Sequence, residues 1–148
     1  MIENKWTTKT GDTFNITYDE ILEKDYYGFI YLIEEKDTGK FYIGEKSFIS
    51  FFTPTGKSNK KKKESNWKSY VSSNKELSAR IKKCGNLKNE KYTFTILSIC
   101  KDKSIMKYEE CKFMIQYNVM VNELAYNSNI KINILCQYKD YENRIVIP

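Results

Sequence analysis

The sequence predicts a small α/β domain of the α+β type, in which a three-stranded, largely antiparallel sheet is flanked by helices. Three observations predict this fold. Residues 28–44 have the pattern of strand, turn and strand, and Tyr92–Cys100 alternates between two faces. Helical spacing of apolar residues begins near Lys75 and again near Ser104. A length of 148 residues is enough for one domain to bury its own core.

A hairpin is the clearest local element. Residues Phe29 to Ile33 are aromatic, aliphatic or β-branched, which is typical of a buried strand. Residues 37–40 (Asp-Thr-Gly-Lys) form a turn signal, because Asp and Gly favour turn hydrogen bonding and permissive backbone angles. The strand pattern resumes at Phe41 to Ile43, and we expect Gly44 to end it. This geometry predicts two tyrosine phenols side by side on one sheet face.

Two helices follow from capping and periodicity. The Ser-Ser-Asn sequence at 72–74 is an N-cap signal for a helix that begins at Lys75, and Gly85 is a plausible C-cap. A second helix is predicted from Ser104 to about Tyr117.

The remaining segments are predicted as connections and one late strand. Residues 46–65 read as a long loop of the kind that is usually functional or mobile, and residues 118–129 as another loop. One more strand is expected near Ile145 to Ile147. We predict a single domain over 1–148, divided into an N-terminal extension (1–25), a motif-bearing core (26–130) and a C-terminal segment (131–148).

Composition limits the classes of function. The net charge of +6 suits an anionic partner, although many small proteins have a basic surface. No apolar run approaches membrane-spanning length, and the first residues lack the apolar region of a signal peptide, so we expect a cytoplasmic protein that is not secreted. The chain has no His, and its cysteines are widely spaced, which argues against zinc and disulfides. The cysteines are Cys84, Cys100, Cys111 and Cys136.

The segment from 57 to 68 combines positive charge with aromatic residues. Six lysines occur there with a single acid, Glu64, which indicates a surface that follows phosphates. Trp67 and Tyr70 could stack on a base or sugar beside it. The alternative is a solvated loop with two core aromatics behind it. The candidate nucleic-acid-binding residues are Lys57, Lys60, Lys61, Lys62, Lys63, Trp67 and Lys68.

The two tyrosine segments, Gly28-Phe29-Ile30-Tyr31 and Phe41-Tyr42-Ile43-Gly44, resemble the GIY-YIG nuclease family. The resemblance runs from Gly28 to Ile130. It extends to a Lys-rich loop, a Trp-x-x-Tyr sequence, a Ser-Ser pair and a helix ending in Gly, as in phage-encoded members. In this family a helix after the third strand carries a metal-binding Glu, and an Asn follows a Tyr in a later loop.

The resemblance implies a metal-dependent DNA endonuclease from a phage or mobile element, of the homing type. Glu109 matches the metal-binding Glu because it directly follows the helix Tyr, with Glu110 as the substitute if the register differs by one. Carboxylates suit Mg²⁺ or Mn²⁺, which would stabilise charge on the scissile phosphate and the leaving 3′ oxygen. Glu109 should project toward both phenols. The implied catalytic residues are Tyr31, Tyr42, Lys46, Arg80 and Asn127.

Two departures leave alternatives open. The family usually places an Arg about ten residues after the second motif tyrosine, and here that position is Phe52. Lys46, a cation from the long loop, or Arg80 could replace it. A catalytically impaired relative that binds nucleic acid or a protein is therefore the second hypothesis, and a basic interaction domain is the third. Which tyrosine activates water, the oligomeric state and an RNA substrate all stay open.

Overall fold

The structure, a computed structural model, describes residues 2–131 and 139–148. Within these residues the strands are β1 (Trp6–Thr7), β2 (Gly28–Glu35), β3 (Phe41–Ser47), β4 (Ile49–Phe52), β5 (Lys61–Glu64), β6 (Tyr92–Cys100) and β7 (Ile145–Val146). The helices are α1 (Tyr18–Glu23), α2 (Lys75–Cys84), α3 (Lys88–Lys91), α4 (Lys103–Gln116) and α5 (Tyr141–Arg144). The Cys136 side chain lies outside the described residues.

The main sheet has the strand order β1-β6-β2-β3, with β7 also paired to β6. Strand β2 is antiparallel to both β3 and β6, which confirms the predicted three-stranded centre. Strand β1 runs parallel to β6 at Phe94 and Thr95, and β7 runs antiparallel to it at Ile99 and Cys100. Both short strands thus share the edge of β6 that faces away from β2. Strand β7 confirms the late strand expected near Ile145 to Ile147. Strand β1 was not predicted, because two residues are too short to produce an alternating pattern in the sequence.

Each face of the sheet supports its own apolar layer. One layer contains Tyr31, Phe94 and Trp67, together with apolar residues of α2. The other contains Ile30 and Ile43 and packs against α4. Because successive strand residues point to opposite faces, β2 contributes to both layers and is almost entirely buried.

Several predicted bounds are confirmed, and Gly44 is a correction. Strand β6 and helix α2 begin and end as expected, and α4 agrees within one residue at each end. Gly44, however, does not end β3, which continues to Ser47. It lies opposite Tyr31, and a Cβ there would lie 2.4 Å from the Tyr31 hydroxyl oxygen. The glycine is therefore required by the aromatic ring that crosses it, and it does not mark a turn.

The expected loop over 46–65 is also wrong in part. It contains a hairpin, β4–β5, which forms a two-stranded sheet separate from the main one. Ser65 fastens its base, because the Ser65 amide donates to the Phe48 carbonyl (2.9 Å) and its hydroxyl to the Ser47 carbonyl (2.6 Å). Strand β5 consists of Lys-Lys-Lys-Glu and has no apolar alternation from which it could have been predicted.

The described cysteines, Cys84, Cys100 and Cys111, are free thiols. No helix in the described part of the chain combines the length and the apolar character that crossing a membrane requires.

Candidate active site

A polar cavity of about 600 Å³ opens beside the edge strand β3. Three segments supply its walls: β3 itself, the turn into α2 with the first residue of that helix, and one side of α4, while the loop after α4 closes it. The lining residues are Tyr42, Glu45, Tyr70, Ser73, Asn74, Lys75, Lys107, Glu110, Met114, Tyr126, Asn127, Ser128 and Asn129.

Tyr42 is the motif tyrosine that reaches this cavity. Its hydroxyl is hydrogen-bonded to the Ser73 hydroxyl (2.9 Å), which fixes the direction of the phenol. Burial raises the pKa of Tyr42, and the bond to Ser73 opposes that rise only in part. The phenol is therefore protonated at neutral pH and acts as a hydrogen-bonding group in the cavity wall.

Tyr31 lies beside Tyr42, as predicted, with ring centroids 6.1 Å apart. It is fully buried, however, and does not line the cavity. Its hydroxyl makes no well-formed hydrogen bond to any described residue. Burial raises the pKa of Tyr31 well above its usual value, with Tyr42 and Tyr70 adding to the effect. The expectation that both phenols face a substrate is thus wrong for Tyr31, because strand β2 is covered on both faces.

Tyr70 supplies a second phenol to the cavity. Its ring packs edge-on against Tyr31 at 6.1 Å, and the Lys46 ammonium lies 4.2 Å from the Tyr70 ring centroid. Such a contact holds a cation against an aromatic face. Burial lowers the pKa of Lys46. Lys46 therefore contacts a residue of the cavity wall, although it is not itself part of the lining.

The carboxylate on α4 that faces the cavity is Glu110, and the match to Glu109 is wrong. Consecutive residues of a helix point about 100° apart, so only one of the pair can face the site. Glu109 has no exposed surface and is bonded to Lys112 (2.7 Å) and to the Tyr141 hydroxyl (2.7 Å). Glu110 lies on the stripe of α4 that also carries Met114 of the cavity lining.

Glu110 shares the cavity with a second carboxylate, Glu45 of β3. Burial raises the pKa of Glu110 to about 7, the Glu45 carboxylate adds to the rise, and Lys107 opposes it. Lys107 forms an ion pair with Glu45 Oε1. The other oxygen, Glu45 Oε2, is buried and has no hydrogen-bond partner among the described residues. The pair thus presents hard oxygen donors that the protein does not fully satisfy.

Asn127 closes the free edge of β3. Its side-chain amide donates to the Ile43 carbonyl (2.8 Å) and accepts from the Ile43 amide (3.1 Å), so it replaces a neighbouring strand. The chain just before it follows the same edge, because the Tyr126 amide donates to the Phe41 carbonyl (2.7 Å). An amide side chain carries both a donor and an acceptor, which explains why Asn suits this position. Asn127 lines the cavity, but both polar groups of its side chain are already bonded to Ile43.

The first turn of α2 forms the opposite wall. The Asn74 side chain accepts from the Leu77 amide (2.9 Å) and donates to the Tyr126 carbonyl (3.2 Å). It therefore caps the helix and anchors the loop after α4. Lys75 follows at the positive end of the helix, where an anion is favoured.

Arg80 lies outside the cavity, so its predicted role at the reacting phosphate is wrong. It is on the far side of α2, where it binds the carboxylate of Glu35 at 3.0 and 3.2 Å. The hydroxyls of Tyr92 and Tyr126 contact the same carboxylate at 3.4 Å. The guanidinium is thus committed to a buried acid at the end of β2.

Trp67 is a core residue, which contradicts its predicted stacking on nucleic acid. Only 1% of it is exposed, and its ring packs against Phe29 and Phe48. Its indole N–H donates to Glu64 (3.0 Å), which also pairs with Lys68 at 3.8 Å. The other candidate lysines are exposed on the β4–β5 hairpin and the loop that precedes β5: Lys57, Lys60, Lys61, Lys62 and Lys63.

Sequence reasoning missed Glu45, Lys107 and Ser73 as site residues. Lys107 and Glu110 are three residues apart, so they lie on one side of a helix, and that spacing was a usable signal. Glu45 had no such signal. Its side chain points to the opposite face of β3 from Tyr42, and both reach the cavity only because β3 is an edge strand.

The fold and the cavity together define a small α+β domain built around a tyrosine-bearing hairpin. The family model described as "Putative endonuclease segE, GIY-YIG domain" matches residues 6–130. The chain therefore belongs to the GIY-YIG endonuclease family, as the motif residues predicted. Searches of curated proteins and of solved structures found no significant match.

Proposed function

We propose that this protein is a metal-dependent endonuclease that hydrolyses phosphodiester bonds of DNA in the cavity beside β3. One observation carries the proposal: Tyr42 and Glu110 line the same cavity together with the cations Lys75 and Lys107. The family match supports nuclease chemistry. The resemblance to phage-encoded members supports a phage or mobile element, with a homing-type role, as the source.

The donor set fits Mg²⁺ or Mn²⁺. Glu110 and Glu45 offer carboxylate oxygens, and the unpartnered Glu45 Oε2 is the kind of atom that a cation would satisfy. No group of three or more Cys, Asp or Glu side chains converges within 2–131 and 139–148. One or two carboxylates completed by water and substrate phosphate are the usual way in which proteins hold Mg²⁺. When bound, the ion would stabilise negative charge on the scissile phosphate and the leaving oxygen.

The protein's own groups orient the reaction. Lys75 and the N-terminus of α2 favour a phosphate at that wall of the cavity. Tyr42, held by Ser73, donates a hydrogen bond to the phosphate or to the attacking water. Its raised pKa makes it a donor and not a proton acceptor in the metal-free protein. Water adds to phosphorus and gives a proton to solvent, while the bond from phosphorus to the 3′ oxygen breaks and that oxygen takes a proton from solvent to leave as a hydroxyl.

A plasmid-nicking assay with Mg²⁺ or Mn²⁺ tests the proposal. We expect the wild type to convert supercoiled plasmid to nicked or linear forms, and Tyr42→Phe and Glu110→Ala to lose that activity. Loss of one preorganised hydrogen-bond donor or charge in such a site typically lowers the rate by roughly 10²–10³-fold. Both variants should still bind DNA in EDTA.

Glu109→Gln is the matched control, because it changes the neighbouring carboxylate on the same helix. The buried ion pair between Glu109 and Lys112 stabilises the fold, so this variant should have a lower melting temperature than the wild type. The protein that remains folded should cleave at the wild-type rate. Abolished cleavage in folded Glu109→Gln, with full cleavage in Glu110→Ala, would contradict the assignment of the site.

One observation favours a catalytically impaired relative that binds nucleic acid without cutting it. Both arginines of the chain lie in the described residues, and neither lines the cavity: Arg80 binds Glu35 and Arg144 binds Asp102 (2.8 Å). Binding of varied DNA without any cleavage by either ion would favour this second function.

A further inference from the structure

The β4–β5 hairpin places aromatic and cationic side chains opposite each other. Phe51 pairs across the hairpin with Lys62, and Phe52 pairs with Lys61. The Lys63 ammonium lies 5.2 Å from the Phe52 ring centroid. One strand of this ribbon is therefore aromatic at its outer end, and the other is cationic along most of its length.

Phe51 and Phe52 are exposed, whereas the other phenylalanines of the chain are buried or partly buried. All Phe residues of the chain lie in the described part, and only these two are exposed: Phe51 by 57% and Phe52 by 38%. The inner end of the same strand is different, because Ile49 packs against the core. The outer end thus keeps large apolar side chains in water, which is unfavourable unless a partner covers them.

The charge around the exposed pair indicates an anionic partner. Lys57 and Lys60 to Lys63 are exposed on the hairpin and on the loop that joins its two strands. The only acid of β5, Glu64, is at the base of the hairpin and is occupied by Trp67 and Lys68. Duplex DNA offers both features that this ribbon would complement, phosphates at regular spacing and base steps into which an apolar side chain can insert.

We propose that the β4–β5 ribbon wedges Phe51 between stacked base pairs from the minor groove of duplex DNA, while the lysines bind the flanking phosphates. Exposed apolar side chains next to cations are the usual means by which proteins unstack and kink a duplex. This inference rests on the proposed function in that it identifies the form of DNA which the same protein engages.

The ribbon and the cavity can engage one duplex. Strand β3 leads from Tyr42 at the cavity to Ser47, and the hairpin begins at Ile49. At about 3.3 Å per residue, the path from Tyr42 to Phe51 is at most about 30 Å. That length is close to one turn of B-DNA, at about 34–36 Å. A wedge at this distance would deform the duplex within about one turn of the bond to be cut.

Closed circular plasmid provides a test that needs no knowledge of a recognition sequence. The plasmid is relaxed by a metal-independent type I topoisomerase in EDTA, with increasing amounts of the full-length protein bound. A wedge that unstacks base pairs unwinds the duplex, so we expect the wild type to shift the topoisomer distribution in proportion to the protein bound. Fluorescence anisotropy on a linear duplex measures affinity under the same conditions.

The variants separate a wedge from a general contact. Phe51→Ala should bind linear duplex about tenfold more weakly. The double variant Phe51→Ala, Phe52→Ala should leave the topoisomers unshifted even when it saturates the plasmid. Phe51→Leu keeps an apolar wedge and should retain most of the shift. Ile115→Ala removes a side chain that is 63% exposed on α4 and should behave as the wild type.

Two results would overturn the inference: no topoisomer shift by saturating wild type, or an unchanged shift by the double variant. The second result would mean that the unwinding does not depend on the two exposed phenylalanines. Because these measurements are made in EDTA, they do not depend on cleavage. Absence of nicking with Mg²⁺ or Mn²⁺ would contradict the proposed endonuclease activity without contradicting the wedge. Nicking without any topoisomer shift would contradict the wedge without contradicting the endonuclease activity.

Discussion

At the scale of single residues, the titration of Glu110 makes the metal-free cavity sensitive to pH. The pKa of Glu110 is about 7 in the folded protein, against 4.5 for an exposed glutamate, mainly because of burial. The folded state therefore binds this proton more tightly than the unfolded state. Below about pH 4.5 both states are protonated and stability is unaffected, whereas stability falls as pH rises from there through 7.

Glu110→Gln removes this titration and measures it. In EDTA, the variant should gain stability relative to the wild type as pH rises between about 4.5 and 7, and the gap should then level off. Its upper limit is on the order of 3 kcal/mol. Urea unfolding of both proteins at a series of pH values gives the difference directly. A gap that does not change with pH would mean that Glu110 is solvated, and would weaken its assignment to the cavity wall.

At the scale of elements, a buried acid joins α2, β2, β6 and the loop after α4. Glu35, at the end of β2, receives Arg80 from α2, and the Tyr92 and Tyr126 hydroxyls approach the same carboxylate. Because Tyr126 directly precedes Asn127, this cluster holds one side of the cavity. Arg80 thus helps to position the loop that carries Asn127 and does not itself contact the substrate.

Arg80→Ala should leave the Glu35 carboxylate without its cation, so the variant should melt at a lower temperature than the wild type. Lys82→Ala, an exposed position on the same helix, is the matched control and should melt as the wild type. Substrate KM should rise more than kcat falls, because the loop is displaced while Tyr42 and Glu110 remain. Melting equal to that of Lys82→Ala, together with a large loss of kcat alone, would restore a direct catalytic role for Arg80.

At the scale of the whole molecule, the sequence was sufficient for the elements that carry a strong local pattern. Strand β6 was predictable because it alternates, and α2 because Asn74 and Gly85 mark its ends. The phase of α4 was not, because its buried residues lie on several sides of the helix, and Glu109 is among them. Only the packing of α4 against the sheet decides that Glu110 faces the cavity. Hairpin β4–β5 could not be predicted, because β5 is made mostly of lysines and has no apolar periodicity.

The distribution of charge leads to the last prediction, which separates local contacts from the net charge of +6. Replacing Lys60, Lys61, Lys62 and Lys63 by Gln should weaken binding to duplex DNA and flatten its salt dependence. Each lost phosphate contact reduces the magnitude of the negative slope of log K against log salt by about 0.9. The quadruple variant should therefore have a slope that is smaller in magnitude by up to about 3–4. The control replaces four exposed lysines elsewhere, Lys36, Lys82, Lys83 and Lys91, and lowers the net charge equally.

The control should change the slope by less than about 1, because lysines outside the interface release no counterions from the DNA. Its affinity should decrease only slightly, through the weaker long-range field of a less basic protein. Anisotropy titrations at several salt concentrations in EDTA give both slopes without interference from cleavage. Equal slopes for the two quadruple variants would mean that DNA responds to the overall charge of the protein, and the hairpin lysines would then lose their assignment as phosphate contacts.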